Sequence, residues 1–338
     1  MKAMLLSAFK PVERNPLVLV DLPLPEPGPG ELLLRVKVCG VCHTDLHTVE
    51  GELPEVKLPV VPGHQAVGIL VKAGEGCRRF KNRERVGAAW LHSACGRCAF
   101  CLGGKENLCL EGRFTGYQTN GGYAEYMTVP EKFAYGIPRD FSDEEAAPLL
   151  CAGIIGYRAL RLSEIRPGGA LGLYGFGASA HVAIQVAVHW GCSVFVFSRS
   201  PEHRELARRL GASWTGSAEE APPVKMNGSI IFAPAGELVL VALRNTEKGG
   251  TVALAGITMT PIPEMDYQEY VYHERTLRSV ANATRQDGEE LLKVASEIPI
   301  KTTTQVFNLE DANRVLRLLK EGRINGAAVL KVPKLNTD

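Results

Sequence analysis

Leu171-Gly172-Leu173-Tyr174-Gly175-Phe176-Gly177-Ala178-Ser179-Ala180 runs from an apolar stretch through a G-x-G-x-x-A turn into a helical pattern. Gly175 permits the tight turn, Gly177 lets the backbone approach a pyrophosphate, and Ala180 is small enough for close helix-to-strand packing. The helix start supplies unpaired N–H groups and a positive dipole for phosphate. Gly175, Phe176, Gly177, Ala178 and Ser179 are therefore candidate dinucleotide-binding residues. Around this turn, apolar runs alternate with helical ones: Ala170 to Tyr174, Ala178 to Trp190, Val194 to Phe197, Pro201 to Leu210, Ser229 to Ala233, Glu237 to Asn245 and Thr251 to Ala255. That alternation predicts βαβ units and a doubly wound parallel sheet with both faces covered.

The end of the second predicted strand bears on cofactor choice. A protein selective for NAD carries Asp or Glu there to hold the ribose hydroxyls. This chain has Ser198-Arg199-Ser200, followed by Arg204. Two hydroxyls and a guanidinium suit a 2′-phosphate, which predicts NADP(H) with NAD(H) as the alternative. The same residues are compatible with a plain helix start at Ser200-Pro201-Glu202.

Upstream the texture differs. Short β-like runs such as Glu31 to Val38 and Ala66 to Val71 are separated by Gly and Pro clusters, including four prolines between Leu22 and Gly30. This predicts an irregular, largely antiparallel β domain over residues 1–150, with the sheet domain over 151–282. Helices over Gly288 to Glu297 and Leu309 to Glu321 and a strand over Ala327 to Val332 follow, and 283–338 is expected to pack back on the first domain.

Cys95, Cys98, Cys101 and Cys109 lie too close in sequence to pair as unstrained disulfides, but they suit one tetrahedral zinc. The other reading of the cluster is a set of ordinary thiols. Net charge is +1 on 338 residues, 45% of them hydrophobic and 22% charged. Such a balance offers no electrostatic footprint for nucleic acid or an anionic membrane and favours a neutral small-molecule partner. The segment Cys95 to Gly112 carries only Arg97, Lys105, Glu106 and Glu111 as charges and Phe100 as an aromatic. A zinc-ribbon nucleic-acid-binding module would need more of both. The start of the chain lacks the apolar run of a signal peptide, no stretch is long enough to span a bilayer, and nine cysteines without a disulfide-like framework suit a reducing compartment. The expected location is the cytoplasm.

Gly40-Val41-Cys42-His43-Thr44-Asp45-Leu46-His47, Pro62-Gly63-His64-Gln65-Ala66-Val67-Gly68 and Leu150-Cys151-Ala152-Gly153 resemble signatures of zinc-dependent alcohol dehydrogenases, members of the medium-chain dehydrogenase/reductase superfamily. The cysteine cluster and the glycine turn match in order, so the resemblance spans essentially the whole chain. It implies a GroES-like catalytic domain joined to a Rossmann domain. It implies two zincs per chain, a catalytic one on Cys42, His64 and Cys151 and a structural one on Cys95, Cys98, Cys101 and Cys109. The implied reaction is reversible hydride transfer between a primary or secondary alcohol and a nicotinamide, with aldehyde or ketone in reverse. In that family the position of Thr44 bonds the substrate oxygen, that of His47 ends a proton relay, that of His43 contacts the pyrophosphate, and that of Asp45 orients the ligating histidine. A histidine titrates near neutral pH, which suits a terminal acceptor; a surface histidine is the other reading of His47. Relatives are commonly homodimers or homotetramers. A zinc-free quinone or enone reductase of the same fold is the alternative, but it would not be expected to retain Cys42, His64 and Cys151 together.

Two positions depart from the pattern. Gln65 stands where glutamate usually follows the ligating histidine, and Ala327 falls where a phosphate-binding arginine often ends a segment like Gly322 to Ala327. The resemblance also places Trp90 in a wall of the substrate pocket, although a core tryptophan would read the same way. Val49 and Leu53 match positions that are bulkier in some relatives. A roomier apolar pocket favours medium-chain or aromatic substrates over ethanol alone.

Overall fold

The computed structural model describes residues 1–333. The last five residues of the expected 283–338 segment, 334–338, lie outside the described residues. Contacts divide the chain into two compact units, one made of Met1–Cys151, Thr284–Ser296 and the chain from Lys301, the other of Ala152–Ala283 with Glu297–Ile300.

In the second unit the strands Trp214–Gly216, Ser193–Phe197, Ala170–Tyr174, Met226–Ile231, Thr246–Leu254 and Thr276–Ser279 lie side by side in that order, all parallel. Chain order thus runs outward one way from Ala170–Tyr174, then returns to its other side at Met226–Ile231. This is the doubly wound Rossmann order, and its switch point is where such sheets bind ligands. Leu171, Leu173, Tyr174, Val194 and Val196 are all 0% exposed, as expected for strands covered on both faces. The helix Ala152–Leu162 packs on the glycine-turn helix Ala178–His189 through Gly156. A Cβ on Gly156 would lie 2.6 Å from the Ser179 carbonyl oxygen.

Two strands of this unit differ from the sequence expectation by more than one residue. The strand expected over Ser229 to Ala233 runs Met226–Ile231. The strand expected from Thr251 begins at Thr246, because Gly249, at φ +73°, continues the ladder through a register shift opposite Met226 and Gly228 instead of ending it. A glycine pair that reads as a turn here forms a bulge.

The first unit is built on the long strand Glu31–Val41. Ala66–Ala73, Tyr126–Pro130 and Ala327–Lys331 all pair with it antiparallel, and Arg85–Ala88 and Ala134–Gly136 extend the sheet beyond Ala66–Ala73. Thr304–Asn308 adds a parallel edge to Ala327–Lys331. Ala328 sits opposite Val41, so the last strand lies beside the residues that lead into Cys42. Leu32, Leu34, Leu70, Val86, Val315, Leu316 and Leu330 form the core with 0–1% exposure. Among the described residues no helix is long and apolar enough to cross a membrane.

Candidate active site and metal centres

The long strand ends at Val41, and the helix His43–Glu50 begins at once, with Cys42 as its N-cap. Cys42 Sγ accepts the Thr44 N–H at 3.3 Å, and Asp45 reaches back to accept the Cys42 N–H at 3.0 Å. The other Asp45 oxygen accepts from the Gly63 N–H and His64 Nδ1, both at 3.2 Å. Asp45 is 2% exposed and His64 1%. One buried carboxylate thus ties the helix start to the loop at residues 62–65 and sets the histidine tautomer, so that Nε2 faces away from it. Gly63 makes this loop possible: at φ +97°, a Cβ would lie 2.4 Å from Tyr123 Cδ1 and 2.9 Å from Cys39 Sγ.

His64 Nε2 lies 3.3 Å from both Cys42 Sγ and Cys151 Sγ, which are 4.0 Å apart. The three come from the end of a strand, a loop and the turn after Ala147–Leu150, across more than a hundred residues. Burial alone would depress the His64 imidazole, but the Asp45 and Cys42 anions outweigh it and push it up to about 10. The hydrogen bond from Cys151 draws the Cys42 thiol well below its ordinary range, and the same bond pushes Cys151 well above. Two thiols and an imidazole sharing protons this way give them up to an entering cation. Two sulfurs and one imidazole nitrogen suit zinc with one position left open.

The Trp90 ring meets His64 edge-on with centroids 5.0 Å apart, stacks on Phe114 at 5.0 Å and leans on Tyr117 at 5.3 Å. Phe114 and Tyr117 were not marked by the sequence, because they lie in an irregular segment without periodicity. Val49 is 0% exposed and belongs to the core of its unit. It has no surface to offer a substrate, which corrects its expected place in the pocket. Gln65 is 3% exposed, and among the described residues its amide nitrogen has no hydrogen-bond partner. His43 is exposed; His47, one turn on, is half-buried and its Nδ1 bonds Glu52.

The four clustered cysteines also converge, their sulfurs all within 4.8 Å of one another and none in a disulfide. Backbone N–H groups of Arg97 and Cys98 draw Cys95 down to about 7, whereas burial pushes Cys101 up to about 12. Four sulfurs saturate a tetrahedral zinc and leave no place for substrate. The loop is latched at Glu106, which accepts from the Arg285 N–H and Nε, both at 3.1 Å.

In the second unit, Gly175 holds φ +88°, and a Cβ there would lie 2.9 Å from the Ala233 nitrogen. A Cβ on Gly177 would meet no protein atom within 4 Å, and no side chain caps the helix that starts at Ala178. Space and unsatisfied N–H groups therefore coincide at Gly177, Ala178 and Ser179, with the buried Phe176 anchoring the turn, as a bound pyrophosphate requires. Ser198 Oγ accepts the Ser200 N–H at 3.3 Å. Ser200 caps the helix Pro201–Arg209, accepting from the His203 N–H at 3.1 Å and donating to Glu202 at 2.6 Å. Arg204 pairs with Glu220 at 3.6 Å, while Arg199 is exposed.

Residues 28–139 match the family model described as alcohol dehydrogenase GroES-like domain, and residues 180–297 the one described as zinc-binding dehydrogenase. The chain is 46% identical over 327 residues to "Probable alcohol dehydrogenase AdhA" of Mycobacterium tuberculosis (strain CDC 1551 / Oshkosh), covering 95% of this chain and 94% of that protein. A crystal structure of an NAD-dependent alcohol dehydrogenase superposes with a TM-score of 0.89 at 27% identity, covering 98% of this chain and all of that one. A structure from Sinorhizobium meliloti 1021 bound to NADP superposes at 0.84, also at 27% identity, covering 98% of each chain.

Proposed function

Because the chain belongs to the alcohol dehydrogenases of the medium-chain dehydrogenase/reductase superfamily, we propose that it is a zinc-dependent, NADP(H)-preferring member in which Cys42, His64 and Cys151 hold the catalytic metal. The convergence of those three side chains around buried Asp45 carries the reading. When bound, zinc supplies Lewis acidity toward the alcohol oxygen, and the nicotinamide accepts the hydride.

The chain's own residues do the rest. Thr44, fixed by its N–H to Cys42 Sγ, takes the proton of the alcohol at its hydroxyl oxygen as it passes its own hydroxyl proton on along a relay that ends at His47. His47, on the same face one turn further, is the terminal acceptor that delivers the proton to solvent. Asp45 holds His64 in the tautomer a metal ligand needs. Gly175 to Ser179 cradle the pyrophosphate, and Ser198, Arg199 and Ser200 receive the 2′-phosphate. Ser200 already serves as a helix cap, so the exposed guanidinium of Arg199 carries most of that preference. Trp90 closes one side of the substrate pocket as a flat aromatic wall, and medium-chain or aromatic alcohols and aldehydes are the fitting class. Nine free thiols, six of them assigned to metal, suit the cytoplasm, and the assembly is a homodimer or homotetramer.

Zinc quantification combined with a substrate and cofactor screen tests this reading. Two zincs per chain are expected, with a higher kcat/KM for NADPH than for NADH and activity rising beyond two-carbon alcohols. No zinc together with quinone or enone reduction would establish the zinc-free reductase instead; a clear NADH preference would overturn the cofactor assignment.

The four-cysteine site has its own test. Cys98→Ser is expected to leave one zinc per chain and to cost at least about 3 kcal/mol, in the upper range for single substitutions. For a unit of this size that lowers Tm by roughly 6–12 °C, with kcat per folded chain little changed. Two zincs retained by the variant would refute the assignment.

A further inference from the structure

We propose that Glu52 is a positioning residue for His47: its carboxylate holds the imidazole Nδ1–H, so that Nε2 is the nitrogen His47 offers to a proton. The inference rests on His47 being the terminal acceptor, and it comes from the way the helix His43–Glu50 ends. Gly51 takes the left-handed conformation at φ +75°. Its N–H donates to the Thr48 carbonyl at 3.3 Å, and the Glu52 N–H donates to the His47 carbonyl at 3.0 Å. That pair of bonds is a Schellman motif. A Cβ on Gly51 would lie 2.8 Å from Phe9 Cγ, so conformation and packing both require glycine and fix where Glu52 begins.

The motif brings the residue after the glycine against the one five positions earlier, and that contact is usually apolar. Here it joins a carboxylate to an imidazole, with His47 Nδ1 bonded to Glu52 Oε2. The neighbouring carboxylate of Glu50 is engaged elsewhere, with the Val12 N–H at 2.9 Å and Lys320 Nζ at 2.8 Å. The His43 ring lies 6.4 Å away between centroids. Glu52 is therefore the carboxylate that meets His47. Its side chain is 52% exposed and that of His47 18%, and pairs so placed contribute little to stability. What the bond does decide is the tautomer. A neutral imidazole carries one N–H, and the nitrogen that keeps it is set by its partner.

Glu52→Leu supplies the apolar contact the motif ordinarily has, so the helix end and Tm should be preserved while the hydrogen bond is lost. In the ¹⁵N-histidine-labelled holoenzyme, with the His47 signals assigned by their absence in His47→Gln, wild type is expected to show protonated Nδ1 and bare Nε2. Glu52→Leu is expected to show mainly the Nε2–H form. Its kcat should fall about fivefold with KM for the alcohol unchanged, a small part of the 10²–10⁴-fold that positioned proton transfer contributes. Glu52→Gln, whose amide oxygen still accepts from Nδ1–H, should recover most of the loss, and Glu52→Leu should add nothing in the His47→Gln background. An Nε2–H tautomer in wild type, or wild-type kcat in Glu52→Leu where His47→Gln is impaired, would overturn the proposal. Wild-type kcat in His47→Gln would instead overturn the relay reading, and the tautomer measurement would then decide alone whether Glu52 holds the ring.

Discussion

Substituting His64 by alanine is expected to lower kcat/KM for alcohol oxidation by at least about a thousandfold, equivalent to about 4 kcal/mol of transition-state stabilisation, and to reduce zinc from two per chain to one. His64 Nε2 sits 3.3 Å from each thiol, while the thiols are 4.0 Å apart. Without the imidazole, two sulfurs remain and the site lacks the three protein ligands that keep a catalytic zinc in place. The same change strips Asp45, itself 2% exposed, of its Nδ1 partner and leaves the carboxylate the Gly63 and Cys42 N–H groups; a hydrogen bond to a charged group contributes roughly 1.5–3 kcal/mol. Some loss of stability should accompany the loss of metal. Asp45→Asn separates the two effects: it leaves three ligands but weakens their orientation, which typically costs 10–100-fold in metal affinity or activity. Chelator competition should then show the catalytic zinc leaving Asp45→Asn before the four-cysteine zinc. If His64→Ala keeps both zincs and its activity, the three-residue site is not the catalytic one.

How much of this was legible in the sequence depends on the range over which each signal acts. Ala170–Tyr174 appears at its expected bounds because a buried parallel strand reads as a continuous apolar run closed by Gly175. Trp214–Gly216 and Thr276–Ser279 gave no such signal: they are short edge strands, and Thr276–Ser279 is mostly exposed, so neither periodicity nor apolarity marks them. The helix Ala152–Leu162 was hidden by Gly153 and Gly156, which read as breakers although Gly156 is there for close packing against Ser179. The four-cysteine cluster is local, so spacing alone disclosed it. Cys42, His64 and Cys151 meet only through the fold, and no spacing rule reaches from residue 42 to 151; the resemblance pointed to them. Val49 shows the cost of that route, since a position carried over from relatives turned out to lie in the core. Glu52 was missed because the residue after a C-cap glycine is ordinarily read for its apolar contact, not for its charge.

Thr44→Val is expected to lower kcat by about 10²- to 10³-fold, within the range for removing a positioned proton-transfer group, while zinc content and Tm stay near wild type. The backbone at this position is fixed independently of the hydroxyl. The Thr44 N–H donates to Cys42 Sγ, and its carbonyl accepts from Thr48 Oγ1 at 2.7 Å. Valine keeps the branched shape and has nearly the same helix propensity as threonine, so the helix has no reason to shift. Thr44 also lies outside the buried core, which removes packing as an explanation for lost activity. Thr44→Ser, which restores a hydroxyl, should recover most of the rate. His47→Gln should show a smaller loss that shrinks as pH rises, because solvent base can replace the last acceptor of a relay but not the hydroxyl that meets the substrate oxygen. The two variants therefore order the path: a large, pH-insensitive deficit at Thr44 and a modest, pH-sensitive one at His47 put Thr44 nearer the reacting oxygen. Full activity in Thr44→Val would remove the hydroxyl from the path, and the proton would have to leave the site by another route.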